Sequence, residues 1–280
     1  MTFDQVKFSR DERILMLGSC FAANMGERLL RDGYDICLNP FGTLFNPASV
    51  ASSIRRLDSG RPFTEDECVM MGSGAGLWCS FSHYTRFARA DKAAFLENAN
   101  AALAEASAFF HSCSSVIVTF GTSYVFRNRE FAAGSEKRLD GIVSNCLKLP
   151  AREFERFRLS VDEIVELWKP LLEGPLAGKK VLFTVSPIRH LADSAHGNQL
   201  SKATLLLAID KLLENEASAR TEAALPASGR ERDYFPSYEI VLDELRDYSW
   251  YAEDTVHPSA DAIDLIYGRF AQYCLQDGRG

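Results

Sequence analysis

The chain has 280 residues, 46% of them hydrophobic and 25% charged, with a formal net charge of −7. A chain of this size and composition builds a sizeable core without disulfides or metals. It carries no basic stripe and no apolar run near the ~18 residues of a membrane span, which argues against a nucleic-acid partner and a spanning helix. Residues 1–10 are mixed and polar, without the charged and apolar segments of a signal peptide. The seven cysteines are scattered and never form a CxxC pair. Reduced thiols and a cytoplasmic location are therefore expected, and neither a disulfide framework nor a zinc site.

In chain order, residues 13–17 (RILML) form a short apolar run ending at Gly18 and read as a buried strand. Residues 21–31 have near-helical apolar spacing and stop at Asp32-Gly33. Residues 34–38 (YDICL) read as a second strand, a βαβ opening that favours a parallel sheet. The segment NPFGTLFNP over 39–47 reads as a structured loop, followed by a helix to about residue 57. Loops and short strands are expected over 70–89, a helix over 92–110 and the clearest strand over 115–120 (SVIVTF), which Gly121 ends. Residues 124–149 look irregular, with a possible hairpin at Asn128. Ser160 and Glu163 have capping-box spacing for a helix through Trp168. A strand over 180–185, a helix over 201–219, a short strand over 233–236 and a helix over 238–248 follow. Residues 221–231 are the best candidate for a mobile segment, and a helix over 258–273 closes the chain. With no internal repeat and no linker, the pattern predicts one three-layer α/β/α domain around a parallel sheet of about five strands. Sites in such sheets form beyond the carboxyl ends of the strands.

Two segments carry candidate chemistry. Ser19 lies in the turn between the first strand and helix, where a helix N-terminus would favour an adjacent oxyanion. The same position suits a plain N-cap serine. At the other end of the chain, Asp254-Thr255-Val256-His257-Pro258 supplies a base and an orienting carboxylate three residues apart, the two partners a serine nucleophile requires. Alone it would equally be an acidic loop before a helix that starts at proline. Cys20 invites a cysteine-nucleophile reading, but its side chain is expected to point away into the fold and pack as a small apolar group.

Gly18-Ser19-Cys20-Phe21-Ala22 spells GSCFA and resembles the namesake motif of the GSCFA family, a branch of the SGNH/GDSL hydrolase-like proteins. Further blocks are similar to that family in the same order: Asn39-Pro40-Phe41-Gly42-Thr43, Asn46-Pro47, Phe120-Gly121-Thr122, Thr184-Val185-Ser186-Pro187 with Arg189-His190, Ser201-Lys202, and DTVHPS over 254–259. The resemblance spans nearly the whole chain. It implies a flavodoxin-like α/β/α fold and a Ser19, Asp254, His257 triad. It also implies an oxyanion hole from the N–H groups of Ser19 and Gly42, with a third donor near residue 123. Where the wider superfamily has G-x-N, this chain reads Gly121-Thr122-Ser123. Ser123 is then the third donor, or Asn145 or Asn46 substitutes for it.

Around this core, Arg189 and His190 follow the predicted fourth strand and are candidate substrate contacts, the arginine as a bidentate partner for a carboxylate or phosphate. His83, in the aromatic stretch 81–84, and Asn145 complete the candidate substrate-binding set. Gly72-Ser73-Gly74-Ala75-Gly76 is weak as a phosphate loop because no helix follows it. The five histidines lack metal-ligand spacing, so no metal or other cofactor is expected. The expected activity is a serine esterase acting on a small acyl ester, such as an O-acetylated sugar, through an acyl-serine intermediate. Two rivals stand: an O-acyltransferase with the same triad, and a catalytically weak carbohydrate- or metabolite-binding module.

Overall fold

In the computed structural model, which describes residues 6–222 and 232–276, alternate residues of the first strand enter opposite cores. Strand β1 (Arg13–Gly18) sends Leu15 and Leu17 to one face of a sheet and Ile14 and Met16 to the other, all of them buried. A strand covered on both faces reads as a continuous apolar run, which is why RILML lacks polar alternation. The same holds for β3 (Ser115–Phe120) and β4 (Lys180–Val185). With β2 (Asp35–Leu38) and β5 (Arg232–Phe235) they form a five-stranded sheet in the order β2-β1-β3-β4-β5. All four pairings are parallel, with registers such as Met16↔Leu38, Gly18↔Thr119, Phe120↔Val185 and Phe235↔Thr184.

Helices cover both faces, giving the three-layer α/β/α architecture. On one face lie α2 (Pro47–Ser59), α3 (Lys92–Ser112), α4 (Val161–Glu173) and α5 (Ser194–Glu222). Ile54, Phe95, Trp168 and Leu205 from these helices meet Val118 and Phe183 of the sheet. On the other face are α1 (Cys20–Arg31), α6 (Ser237–Asp243) and α7 (Ala260–Cys274). Their Phe21, Ile240 and Phe270 pack on Met16, Ile117 and Leu182. Caps set several boundaries: Asn46 accepts from the Ser49 N–H at 2.9 Å, Ser160 and Glu163 form the capping box, and Ser259 caps α7.

The strand order changes direction at β1: the chain moves from β1 outward to β2, then returns past it to β3. This is the switch point at which parallel sheets open a crevice above their carboxyl ends. The region expected to be irregular around Asn128 is a three-stranded antiparallel sheet instead. Tyr124–Asn128 pairs with both Ile142–Val143 and Phe154–Arg158. Its outer partners are short or charge-rich, so neither reads as a strand from periodicity. Helix α5 starts seven residues before the expected 201, since its first turns (SAHGNQL) carry little apolar spacing. Of the stretch expected to be mobile, 223–231 lie outside the described residues.

Candidate functional site

The turn from β1 into α1 is built on a close approach. A Cβ on Gly18 would sit 2.4 Å from the Thr119 carbonyl oxygen of neighbouring β3, so only glycine fits. The Gly18 N–H donates to Asn39 Oδ1 at 2.8 Å, tying the end of β1 to the end of β2. Ser19 is the N-cap of α1, but its side chain makes no capping bond. Its hydroxyl is buried, without a hydrogen-bond partner, and its Cβ lies against Gly121. Cys20, the first helical residue, is half-buried and lines a cavity of about 480 Å³.

Across that cavity stands His257, with Nε2 at 3.8 Å from Cys20 Sγ. Its Nδ1 is 2.6 Å from Asp254 Oδ2. Asp254 Oδ1 accepts the N–H groups of Val256 at 2.8 Å and His257 at 2.9 Å. These backbone bonds, with the imidazole, hold the Asp254 carboxyl down to about 2. With Nδ1–H donated to that carboxylate, Nε2 is left as the acceptor facing the thiol. The Cys20 thiol is pushed up by burial; the N–H groups of Cys20 and Phe21 at the helix start and the charge of Lys202 oppose the shift in part.

The loop carrying Asp254 is anchored. Thr255 has φ +57°, Ala252 N–H donates to His257 O at 2.8 Å, and Tyr251 bridges Pro258. Arg189 clamps it from the side: its N–H reaches Val256 O and its Nη1 reaches Thr255 O, both at 3.1 Å. Arg189 and His190 both line the cavity, joined by Tyr84, Arg86 and Thr43. Burial, with the Lys202 charge second, lowers His190 to about 4.

The expected site is thus rearranged in several places. Residue 20, not residue 19, faces His257. Gly42 does line the cavity, but its N–H donates to Asn39 O at 2.8 Å and is not free for an oxyanion. The glycine is there for a different reason: a Cβ on it would lie 2.2 Å from Tyr84 Cβ. Ser123 is fully buried and bonded to Ser201, its hydroxyl donating to Ser201 O at 3.2 Å and its N–H to Ser201 Oγ at 2.8 Å, so it cannot donate into the cavity. Neither Asn145 nor Asn46 lines the cavity; Asn145 Oδ1 accepts the Leu147 N–H at 2.8 Å in a local turn, and Asn46 Oδ1 accepts the Ser49 N–H at 2.9 Å as the α2 cap.

His83 is not a cavity residue at all. It is fully buried among Phe41, Phe63, Phe87 and Phe95, with ring centroids between 4.5 and 5.4 Å away, and bonded through Nδ1 to Ser80 Oγ at 2.7 Å. Burial holds it neutral, with its pKa lowered to about 3.

Lys202, which the sequence marks only by resemblance, is completely buried beneath the site. Its Nζ donates to Gly121 O and Ser186 O, both at 2.6 Å, joining the carboxyl ends of β3 and β4. No carboxylate pairs with it among the described residues, and burial lowers it to about 7. Among the described residues, no three His, Cys, Asp or Glu side chains converge as a metal site and no helix is long and apolar enough to cross a membrane.

Fold and cavity together define a three-layer α/β/α protein with a thiol, an imidazole and a carboxylate in line at the sheet's switch point. The GSCFA family model matches residues 13–270, and the chain belongs to the GSCFA family. No curated protein and no solved structure matches it.

Proposed function

We propose that this protein transfers acyl groups through Cys20, with His257 as general base and Asp254 as its orienting carboxylate. The reading rests on one observation: Cys20 Sγ, His257 Nε2 and Nδ1, and Asp254 Oδ2 follow one another at 3.8 and 2.6 Å beside an open cavity. The Ser19 hydroxyl, by contrast, is buried without a partner. The thiol is protonated at rest, so His257 removes its proton as sulfur attacks the acyl carbonyl. The same proton then passes to the departing alcohol or thiol, leaving an acyl-cysteine thioester. Water or an acceptor hydroxyl, deprotonated by His257, resolves that thioester and regenerates the thiol. The N–H groups at the start of α1 have no intrahelical partners and supply the oxyanion with donors and a positive helix end. The N–H of Thr43, which meets no acceptor among the described residues, stands at the same cavity.

The substrate class is an acyl ester or thioester. A β2-β1-β3-β4-β5 sheet, a reactive turn after β1 and a D-x-x-H loop before the last helix support a place among the SGNH/GDSL hydrolase-like proteins, with cysteine taking the serine's part. The test is acylation by 4-nitrophenyl acetate and by a short acyl thioester, read by peptide mass spectrometry. An acetyl group on Cys20, retained in Ser19→Ala and lost in Cys20→Ala, is the expected result. His257→Ala should slow its formation by about 10²–10⁴-fold. An adduct on Ser19, or turnover that survives Cys20→Ala, would overturn the assignment.

A further inference from the structure

The cavity beside Cys20 is lined by arginines within a protein of net charge −7, and the Asp254 carboxylate stands next to it behind His257. Its lining includes the guanidinium groups of Arg86 and Arg189 and no carboxylate. Several arginines elsewhere meet acids, Arg28 pairing with Asp264, Arg56 with Glu67 and Arg269 with Glu244, while others such as Arg55 and Arg89 meet backbone carbonyls. Arg86 and Arg189 are of the second kind. Among the described residues, Arg86 bonds only the Asn39 carbonyl, at 3.1 Å, and Arg189 only the Thr255 carbonyl, also at 3.1 Å. Each carbonyl takes one N–H of a five-donor fork, and the charge is otherwise faced by rings, Phe87 at 5.5 Å from Arg86 and Tyr248 and Tyr251 at 5.7 and 5.6 Å from Arg189.

Their placement relates them to the reacting sulfur. Arg86 is held over the end of β2 through Asn39, Cys20 stands at the end of β1, and Arg189 follows β4. In the order β2-β1-β3-β4 the two guanidiniums therefore flank Cys20, one strand away on one side and two on the other. At about 4.8 Å per strand the two stand on opposite sides of Cys20, so each is a separate anchor beside the sulfur.

We infer that the acyl donor or acceptor is an anion, its carboxylate or phosphate oxygens held by Arg86 or by Arg189 while its carbonyl faces Cys20. This deepens the acyl-cysteine reading and rests on it. It narrows the substrate from esters in general to those with a negative group close to the acyl carbon. Neutral O-acetyl sugars would leave both guanidiniums unpaired.

Iodoacetate and iodoacetamide make the comparison directly. They differ little except in charge, and both alkylate a thiolate with loss of iodide. With free glutathione as the reference thiol, Cys20 should favour iodoacetate over iodoacetamide by about tenfold more than glutathione does. Arg86→Gln and Arg189→Gln should each lower the iodoacetate rate by a larger factor than the iodoacetamide rate, and the double variant should bring the preference down to that of glutathione. Succinate and inorganic phosphate as competitors then rank the two oxyanions. A wild-type preference equal to that of glutathione would overturn the inference, as would variants that slow both reagents equally, since that pattern marks a structural role for Arg189 on the Asp254 loop. If neither reagent modifies Cys20, the acyl-cysteine reading fails separately. Calorimetric titration with inorganic pyrophosphate then decides the anion site: binding lost in the double glutamine variant upholds it, and no binding by wild type refutes it.

Discussion

Replacing Lys202 with methionine tests how the floor of the site is held together. Wild-type Lys202 spans β3 and β4 by two 2.6 Å bonds to carbonyls, and among the described residues no carboxylate forms an ion pair with it. Its pKa in the folded protein is about 7, against an unfolded value of about 10.4. Between these values the unfolded chain binds more protons than the native one, so folding stability rises with pH. Below about 7 the native lysine is charged and its burial opposes folding; well above it, the neutral amine still has two N–H donors for the two carbonyls. Integrated from pH 6 to pH 8.5, this one group adds about 2 kcal/mol to stability. The window is chosen to avoid the thiols. Burial pushes Cys37 and Cys274 to about 12 and Cys79 to about 11, and those shifts remove stability once the pH passes the unfolded thiol value. Methionine keeps the length and loses the titration, while leaving two buried carbonyls without a donor, at about 1–3 kcal/mol each. Lys202→Met should therefore be less stable than wild type, and the gap should widen by about 2 kcal/mol between pH 6 and pH 8.5. Urea unfolding of both proteins at the two pH values measures it. A gap that stays constant with pH would mean that Lys202 is charged throughout and would refute the argument.

Three other outcomes follow from the same structure. Ser19→Ala removes a buried hydroxyl that neither caps α1 nor finds a partner, so stability should hold or rise by up to about 1 kcal/mol in thermal melts. Asp254→Asn keeps an acceptor for the Val256 and His257 N–H groups but no longer fixes the imidazole tautomer; kcat/KM on the acyl substrate should fall by about 10²–10⁴-fold with an unchanged circular dichroism spectrum. For His83, whose folded pKa is about 3, the native state resists protonation, so wild type loses stability as pH falls below the unfolded value of about 6.5. His83→Phe should flatten that decline by roughly 2 kcal/mol between pH 6.5 and pH 5, as read by urea unfolding.

The sheet was legible because its strands are buried on both faces, and RILML, SVIVTF and KVLFTV need no long-range information to be recognised. The Asp254–His257 contact was legible because three residues of one turn suffice to make it. The oxyanion donors were not. Gly42 is a glycine because Tyr84, far along the chain, packs against its Cα, and Ser123 is occupied by Ser201. Both facts belong to tertiary packing, and no local pattern carries them. His83 was a candidate contact through the family resemblance alone; its aromatic stretch by itself favours a packed histidine, and those neighbours are what enclose it.

Which side chain stands opposite His257 turned on a single residue of helix phase. Successive side chains on a helix point about 100° apart, so which of Ser19 and Cys20 meets the cavity depends on where α1 begins. A helix starting at residue 21, as apolar spacing suggests, leaves both in the turn and lets the serine stand forward. The helix starts at Cys20 instead, because Gly18 is pinned against Thr119 and its N–H is taken by Asn39, leaving one extended residue, Ser19, before the first helical turn. That residue turns toward Gly121, and the next one emerges beneath His257. The strand packing that fixes Gly18 thereby places sulfur, not oxygen, opposite the His257 ring.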